Sequence, residues 1–199
     1  MELHADPLSV EAFHPYGSII SPDEEIATYT SSHGVAENNA NQGTAVKLLS
    51  VSRVQNSSRA AVPHLNLFRC RTRGRISQGQ SWQIAVPLLE QHPQSSQTFI
   101  PMGVDSDAVA YIVVVASALP NDASKPDMST ARAFLCRGNQ AVTYGEGVWH
   151  APMIAISQEE ARTHIDFAVL IYENDSPGHP ELDCVEYQLD RPIEVTVTV

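Results

Sequence analysis

Cysteine is scarce in this 199-residue chain: Cys70, Cys136 and Cys184 stand apart with no CxxC spacing. Neither a disulfide framework nor a zinc knuckle is indicated, and a reducing compartment is the simpler setting. Positive charge is scarce too. Twelve Lys and Arg against 23 Asp and Glu leave a net charge of −11, which opposes non-specific attraction to nucleic acid or anionic lipid. Neither nucleic acid nor a membrane is therefore expected as a partner. Long apolar runs are missing: the most apolar stretch, residues 108–119, falls well short of the roughly twenty that cross a bilayer as a helix, and reads as a core strand. Residues 1–13 carry His4, Asp6, Pro7 and Glu11 where a secretory signal needs a basic end and an apolar run. The expectation is a soluble cytoplasmic protein.

Long amphipathic helical windows are almost absent as well. What recurs instead are short runs rich in Val, Ile, Tyr, Phe and Leu between Pro, Gly, Asn and Ser clusters, the pattern of an all-β sandwich or barrel. Strands are predicted over 16–20, 45–54, 65–71, 81–89, 97–102, 110–116, 131–136, 141–144, 153–156, 167–172 and 184–189. That many strands point to a closed barrel or jelly roll, which removes exposed sheet edges. Two short helices are predicted, over 9–14 with Ser9 as a cap, and over 157–163. Residues 21–43 read as a long polar loop and 119–127 as a turn region. No repeat or linker interrupts the chain, so residues 1–199 form one domain.

Two segments carry the chemical promise. In the first, Glu90 and His92 lie two apart and share one side of an extended chain, and a turn through Pro93 and Ser95 brings Gln97 back beside them. In the second, Gly145 and Gly147 allow tight turns before Trp149-His150-Ala151-Pro152. Glu-x-His-x4-Gln followed by Gly-x2-His resembles the two metal motifs of the cupin barrels. Glu90 stands where the first His of that family would be, and Gln97 replaces its Glu.

The wording is more specific than the spacing. Glu90-Gln91-His92-Pro93, Ser96-Gln97-Thr98-Phe99-Ile100-Pro101, Lys125-Pro126-Asp127-Met128-Ser129-Thr130 before Arg132-Ala133-Phe134, and Gly147-Val148-Trp149-His150-Ala151-Pro152 together resemble the ureidoglycolate lyase family. The resemblance spans nearly the whole chain, leaving the Arg71, Arg73 and Arg75 stretch and the acidic loop unmatched. It implies a cupin-like all-β barrel, the double-stranded β-helix, with a few short helices. It also implies a homodimer that splits ureidoglycolate into glyoxylate and urea in allantoin and purine breakdown.

That reaction needs a base for the hydroxyl proton and an acid for the departing urea nitrogen. Candidate catalytic residues are His92, His150 and Glu90, with Glu90 or His92 as base and His150 as acid. A divalent metal would assist by binding the α-hydroxycarboxylate, held by Glu90, His92, Gln97 and His150; nickel, zinc, manganese and iron suit that set about equally. Arg69, read as partly buried, would hold the substrate carboxylate. Asn41 and Gln42 would bond the urea group, Gln97 would also bind substrate, and Trp149 would wall the pocket. The alternatives are a metal-dependent cupin isomerase or dioxygenase on a small hydroxy or keto acid, and a cupin that binds a metabolite without turning it over. The terminal 195–199 alternation is read as an edge strand for dimer pairing.

Overall fold

The computed structural model describes residues 1–33, 40–74, 77, 79–174 and 183–198. Six strands close into a barrel: β1 (Glu2–Pro7), β4 (Ser81–Gln91), β6 (Val109–Ala116), β9 (Arg132–Arg137), β11 (Trp149–His150) and β14 (Val185–Thr198). They run in the order β11-β4-β14-β1-β9-β6, and β6 returns to pair with β11. A second, antiparallel sheet has the order β2-β10-β5-β13-β3, from β2 (Gly17–Ile20), β10 (Ala141–Tyr144), β5 (Gln97–Met102), β13 (His164–Glu173) and β3 (Val62–Arg71). A short hairpin, β7 (Ala118–Leu119) with β8 (Asp122–Pro126), occupies the predicted turn region, and β12 (Ile154–Ala155) pairs beside β6. This is the closed barrel that the strand pattern predicted, and it is consistent with the cupin-like fold that the resemblance implies.

The apolar run of β6 is explained by burial on both faces. Ile112, Val114 and Ala116 fill the barrel with Ile84, Val86, Ile193, Val195 and Val197. Tyr111, Val113 and Val115 point the other way, into a layer shared with Phe13, Phe99, Phe134, Tyr144 and Phe167. Alternation on a strand thus feeds two cores at once.

Several expectations need correction. Residues 22–33 are not loop but helix α2 (Pro22–His33), started by Pro at its first turn and by Asp23, Glu24 and Glu25, whose charges suit the positive helix end. The strand predicted over 45–54 does not form. Ser50 adopts φ 57, and the following residues bond to side chains of the second sheet: Ser52 Oγ meets Thr143 Oγ1 at 2.7 Å, and the Arg53 N–H donates to Ser18 Oγ at 3.0 Å. The helix predicted over 157–163 gives way to a turn in which Ser157 Oγ accepts from the Glu159 N–H at 3.0 Å. The helix predicted after Ser9 is present as α1 (Val10–Phe13), with Ser9 Oγ accepting from the Ala12 N–H. The terminal strand is no edge: β14 lies between β4 and β1, with Val195 and Val197 inside the barrel. Residues 34–39, Arg75 and Val199 lie outside the described residues.

Candidate active site

Two of the crossings the chain makes between barrel and second sheet lie side by side at one end of the molecule. After β4 it turns through residues 92–96 and enters β5 at Gln97; after β10 it turns through residues 145–148 and enters β11. The crossings are tied together, the Gly147 N–H donating to the His92 carbonyl at 2.9 Å and Gln91 Nε2 donating to the Gly147 carbonyl at 2.7 Å. Gly147 has φ 74, which favours glycine, and a side chain on Gly17 would collide with the Thr143 carbonyl where β2 and β10 meet. The first crossing is braced from outside, where the Gln55 N–H donates to Ser96 Oγ at 2.7 Å and the Ser96 N–H to the Gln55 carbonyl at 3.0 Å.

These turns bring the two predicted imidazoles together. His92 and His150 stack with ring centroids 5.5 Å apart and planes at 28°. His150 also lies flat against Tyr144, at 4.0 Å and 9°. Both histidines are buried. Nδ1 of His92 is 2.5 Å from the Asp183 carbonyl, and Nδ1 of His150 is 3.0 Å from the Val148 carbonyl. A carbonyl can only accept, so each Nδ1 carries the proton and each neutral ring presents the lone pair of Nε2.

Burial keeps both rings neutral. It lowers the His92 pKa below the ordinary histidine value, against the opposing pull of the Asp183 carbonyl, the Gln97 side chain and the charges of Glu173 and Asp183. It drives His150 down to about 3, helped by the nearby His92. Burial thus works against the protonated imidazolium that the predicted role of acid would need, and the Nδ1 proton of the neutral ring is taken up by the Val148 carbonyl. Burial, and then the like charge of Glu186, raise the Glu90 carboxyl. Burial also raises the Tyr144 phenol well above its usual value, so its hydroxyl stays protonated.

The other predicted residues divide sharply. Glu90 is directly opposite His150 across β4 and β11, so the two side chains share the outer face of the barrel. Gln97 is directly opposite Tyr144 and close enough to His92 to favour its protonated form. Trp149 does not wall this site. It precedes His150 on a strand, so it points the opposite way, into the barrel core against Tyr187. Arg69 is not partly buried: its side chain is 64 % exposed and its guanidinium forms two 2.9 Å bonds to Asp166. Asp166 lies five residues before Ile171, the β13 partner of Gln97, which is roughly 17 Å along the strand. Asn41 and Gln42 occupy an exposed turn with φ of 49 and 58. Among the described residues, no three His, Cys, Asp or Glu side chains converge as a metal-binding group.

The sequence reading missed Tyr144 and Glu173. Tyr144 ends β10 immediately before the turn that carries Gly145 and Gly147 into β11, and pairing with Gln97 is what turns it inward. Glu173 ends β13, shares a face with Ile171, accepts from Asn66 Nδ2 at 3.1 Å and adds its charge beside His92. Nothing in local spacing marks either residue, because both reach the site through cross-strand register.

A closed six-strand barrel with a flanking sheet, and neutral imidazoles beside a carboxyl sealed at the seam between them, defines a cupin-like protein equipped for proton transfer. The chain belongs to the ureidoglycolate lyase family, whose sequence model matches residues 1–196. It is 53 % identical over 188 residues to the ureidoglycolate lyase of Saccharomyces cerevisiae, covering 92 % of this chain and 91 % of that protein. It is 33 % identical to that of Schizosaccharomyces pombe, covering 100 % and 97 % of the two chains. A Burkholderia mallei ureidoglycolate lyase is 34 % identical over 78 % of this chain and 76 % of its own.

Proposed function

We propose that this protein is a ureidoglycolate lyase, splitting ureidoglycolate into glyoxylate and urea by acid and base catalysis at the seam between the sheets. The observation that carries the reading is the pairing of His92 and His150, both neutral and both presenting Nε2, in a chain of this family. His92 is the base, since the Asp183 carbonyl, the Gln97 side chain and the charges of Glu173 and Asp183 around it favour its protonated form. Its Nε2 takes the substrate hydroxyl proton, the oxygen electron pair closes the aldehyde carbonyl, and the carbon–nitrogen bond breaks. The departing urea nitrogen takes a proton from Glu90, whose raised pKa suits it to that role. Proton return from His92 to Glu90 through solvent closes the cycle.

The test is direct. Purified protein mixed with ureidoglycolate releases glyoxylate well above the spontaneous rate; a folded sample with no acceleration overturns the proposal. Oxygen uptake, or isomerisation of a hydroxy or keto acid, would instead favour the cupin oxygenase or isomerase reading.

The reading extends to a cytoplasmic homodimer acting in the breakdown of allantoin-derived purine nitrogen. Supporting it are three unpaired cysteines and the absence, among the described residues, of any helix long and apolar enough to cross a membrane. The outer face of the second sheet supports the dimer: Leu65, Leu67, Ile100 and Met102 form an exposed apolar strip beside the edge strand β3.

A further inference from the structure

Among the described residues, three buried side-chain polar atoms have no partner: Nε1 of Trp149, alone in the barrel core, and the Tyr144 hydroxyl and Nε2 of His150, together on two stacked rings. Tyr144 is 1 % exposed and His150 2 %. Such orphans are rare in folded proteins because each costs the hydration it has lost, and a pair on neighbouring rings at a candidate site marks a place kept for a ligand. The other two tyrosines of the same layer show the contrast: Tyr16 donates to the Thr130 carbonyl at 2.5 Å and Tyr111 to the Gln140 carbonyl at 2.6 Å.

The chemistry of the two atoms is complementary and uncharged. The Val148 carbonyl occupies the His150 Nδ1 proton, leaving Nε2 as an acceptor. Tyr144 supplies a hydroxyl donor. One edge of a ureido group offers the matching pair, an N–H beside a carbonyl oxygen. A carboxylate would set its negative oxygens against the Nε2 lone pair, so this corner disfavours the acid end of the substrate. We infer that Tyr144 and His150 form the ureido subsite, the Tyr144 hydroxyl donating to the urea carbonyl and His150 Nε2 accepting a urea N–H, and that this fixes which end of the substrate enters first. The inference rests on the proposed lyase activity and adds Tyr144 as a substrate-binding residue. A hydrogen bond to the urea carbonyl also draws electron density toward the leaving group as the carbon–nitrogen bond breaks.

Tyr144→Phe tests this, since it keeps the ring stack and removes one oxygen. kcat/KM for ureidoglycolate falls by about tenfold to a hundredfold, the range expected when a buried partner is left unpaired. Inhibition by urea weakens in parallel while inhibition by glyoxylate is unchanged. Thermal stability is unchanged or rises, because the lost hydroxyl had no partner. Wild-type kcat/KM and urea inhibition in the variant overturn the subsite, as does an equal loss of glyoxylate inhibition. Urea binding to both proteins, followed by saturation-transfer NMR, needs no turnover. A wild type that binds urea through Tyr144 yet cleaves nothing would overturn the lyase reading while upholding the subsite, and a wild type indistinguishable from the variant would overturn the subsite alone.

Discussion

The barrel interior and the layer between barrel and second sheet are equally buried but chemically unlike. The interior is aliphatic, built from Ile84, Val86, Ile112, Val114, Ile193, Val195 and Val197, with Trp149 at one end. The layer is aromatic, with edge-on pairs such as Phe13 and Phe134 at 5.6 Å, Phe99 and Phe167 at 5.8 Å, and Tyr111 and Phe167 at 5.3 Å. Aliphatic side chains can close a narrow barrel without polar atoms. Aromatic hydroxyls and imidazoles bring polar atoms into a dry space, where each must be capped or serve a ligand. The barrel, where among the described residues Nε1 of Trp149 is the lone uncapped side-chain atom, is thus a scaffold, and the layer is where chemistry becomes available, at the end where the Tyr144 hydroxyl and His150 Nε2 go uncapped together.

The strongest way to break this contrast is to remove the base. His92→Ala should lower kcat/KM by about a hundredfold to ten-thousandfold while the fold is kept, as judged by circular dichroism and steady-state glyoxylate release. Activity retained within a few-fold would place the proton transfer elsewhere. The barrel counterpart should behave in the opposite sense. Ile193→Ala leaves a cavity among fully buried aliphatic groups and should cost about 2–5 kcal/mol in urea-free chemical denaturation, for example by guanidinium. Its folded fraction should keep its kcat/KM, and a large loss there would show that barrel and layer are not separable.

That division also marks how far the sequence could be read. The barrel was legible because strands announce themselves by β-branched and aromatic runs, and the pair His92 and His150 because turn glycines and Pro93 frame them. Gln97 was legible for the same reason: a short turn joins it to His92. Arg69 and Trp149 were misplaced by register. Trp149 is one residue from His150, and one residue inverts the face. Arg69 was read as partly buried, yet its neighbour Leu67 is itself 65 % exposed and gives it no shelter. Helix α2 was missed because its polar composition hid the start signals at Pro22 and Asp23. Tyr144 and Glu173 enter the site only through long-range pairing, which no local pattern encodes.

Acid should sharpen the contrast next. His150 is held at about 3 in the fold, whereas an unfolded histidine titrates near 6.5. Between those values the unfolded chain binds the proton that the folded chain refuses, so stability falls as pH falls from about 6.5 toward 3 and is unaffected above. The slope from this group is about 1.4 kcal/mol per pH unit. Denaturation midpoints of His150→Phe, which keeps a flat ring against Tyr144, should fall less steeply than wild type across that window. Parallel slopes would mean that His150 is not the buried neutral group described.

The smallest effect on turnover is expected farthest from the layer, on the outer face of the second sheet. Leu67 faces outward on the edge strand and Arg69 is occupied by Asp166, so neither contacts the imidazoles. A homodimer closing over this strip would bury Leu65, Leu67, Ile100 and Met102, and Leu67→Glu would place two carboxylates in that apolar contact. Sedimentation velocity should then report a monomer where the wild type is a dimer. Surface changes of this kind leave the folded site alone, so kcat/KM per protomer should stay within about a factor of two. Arg69→Ala should leave kcat/KM within about the same factor. A rise in KM for Arg69→Ala would return its guanidinium to the substrate carboxylate and require β3 to reach the seam in a way its present register forbids. A fall in kcat for the Leu67→Glu monomer would tie the uncapped end of the layer to the partner protomer.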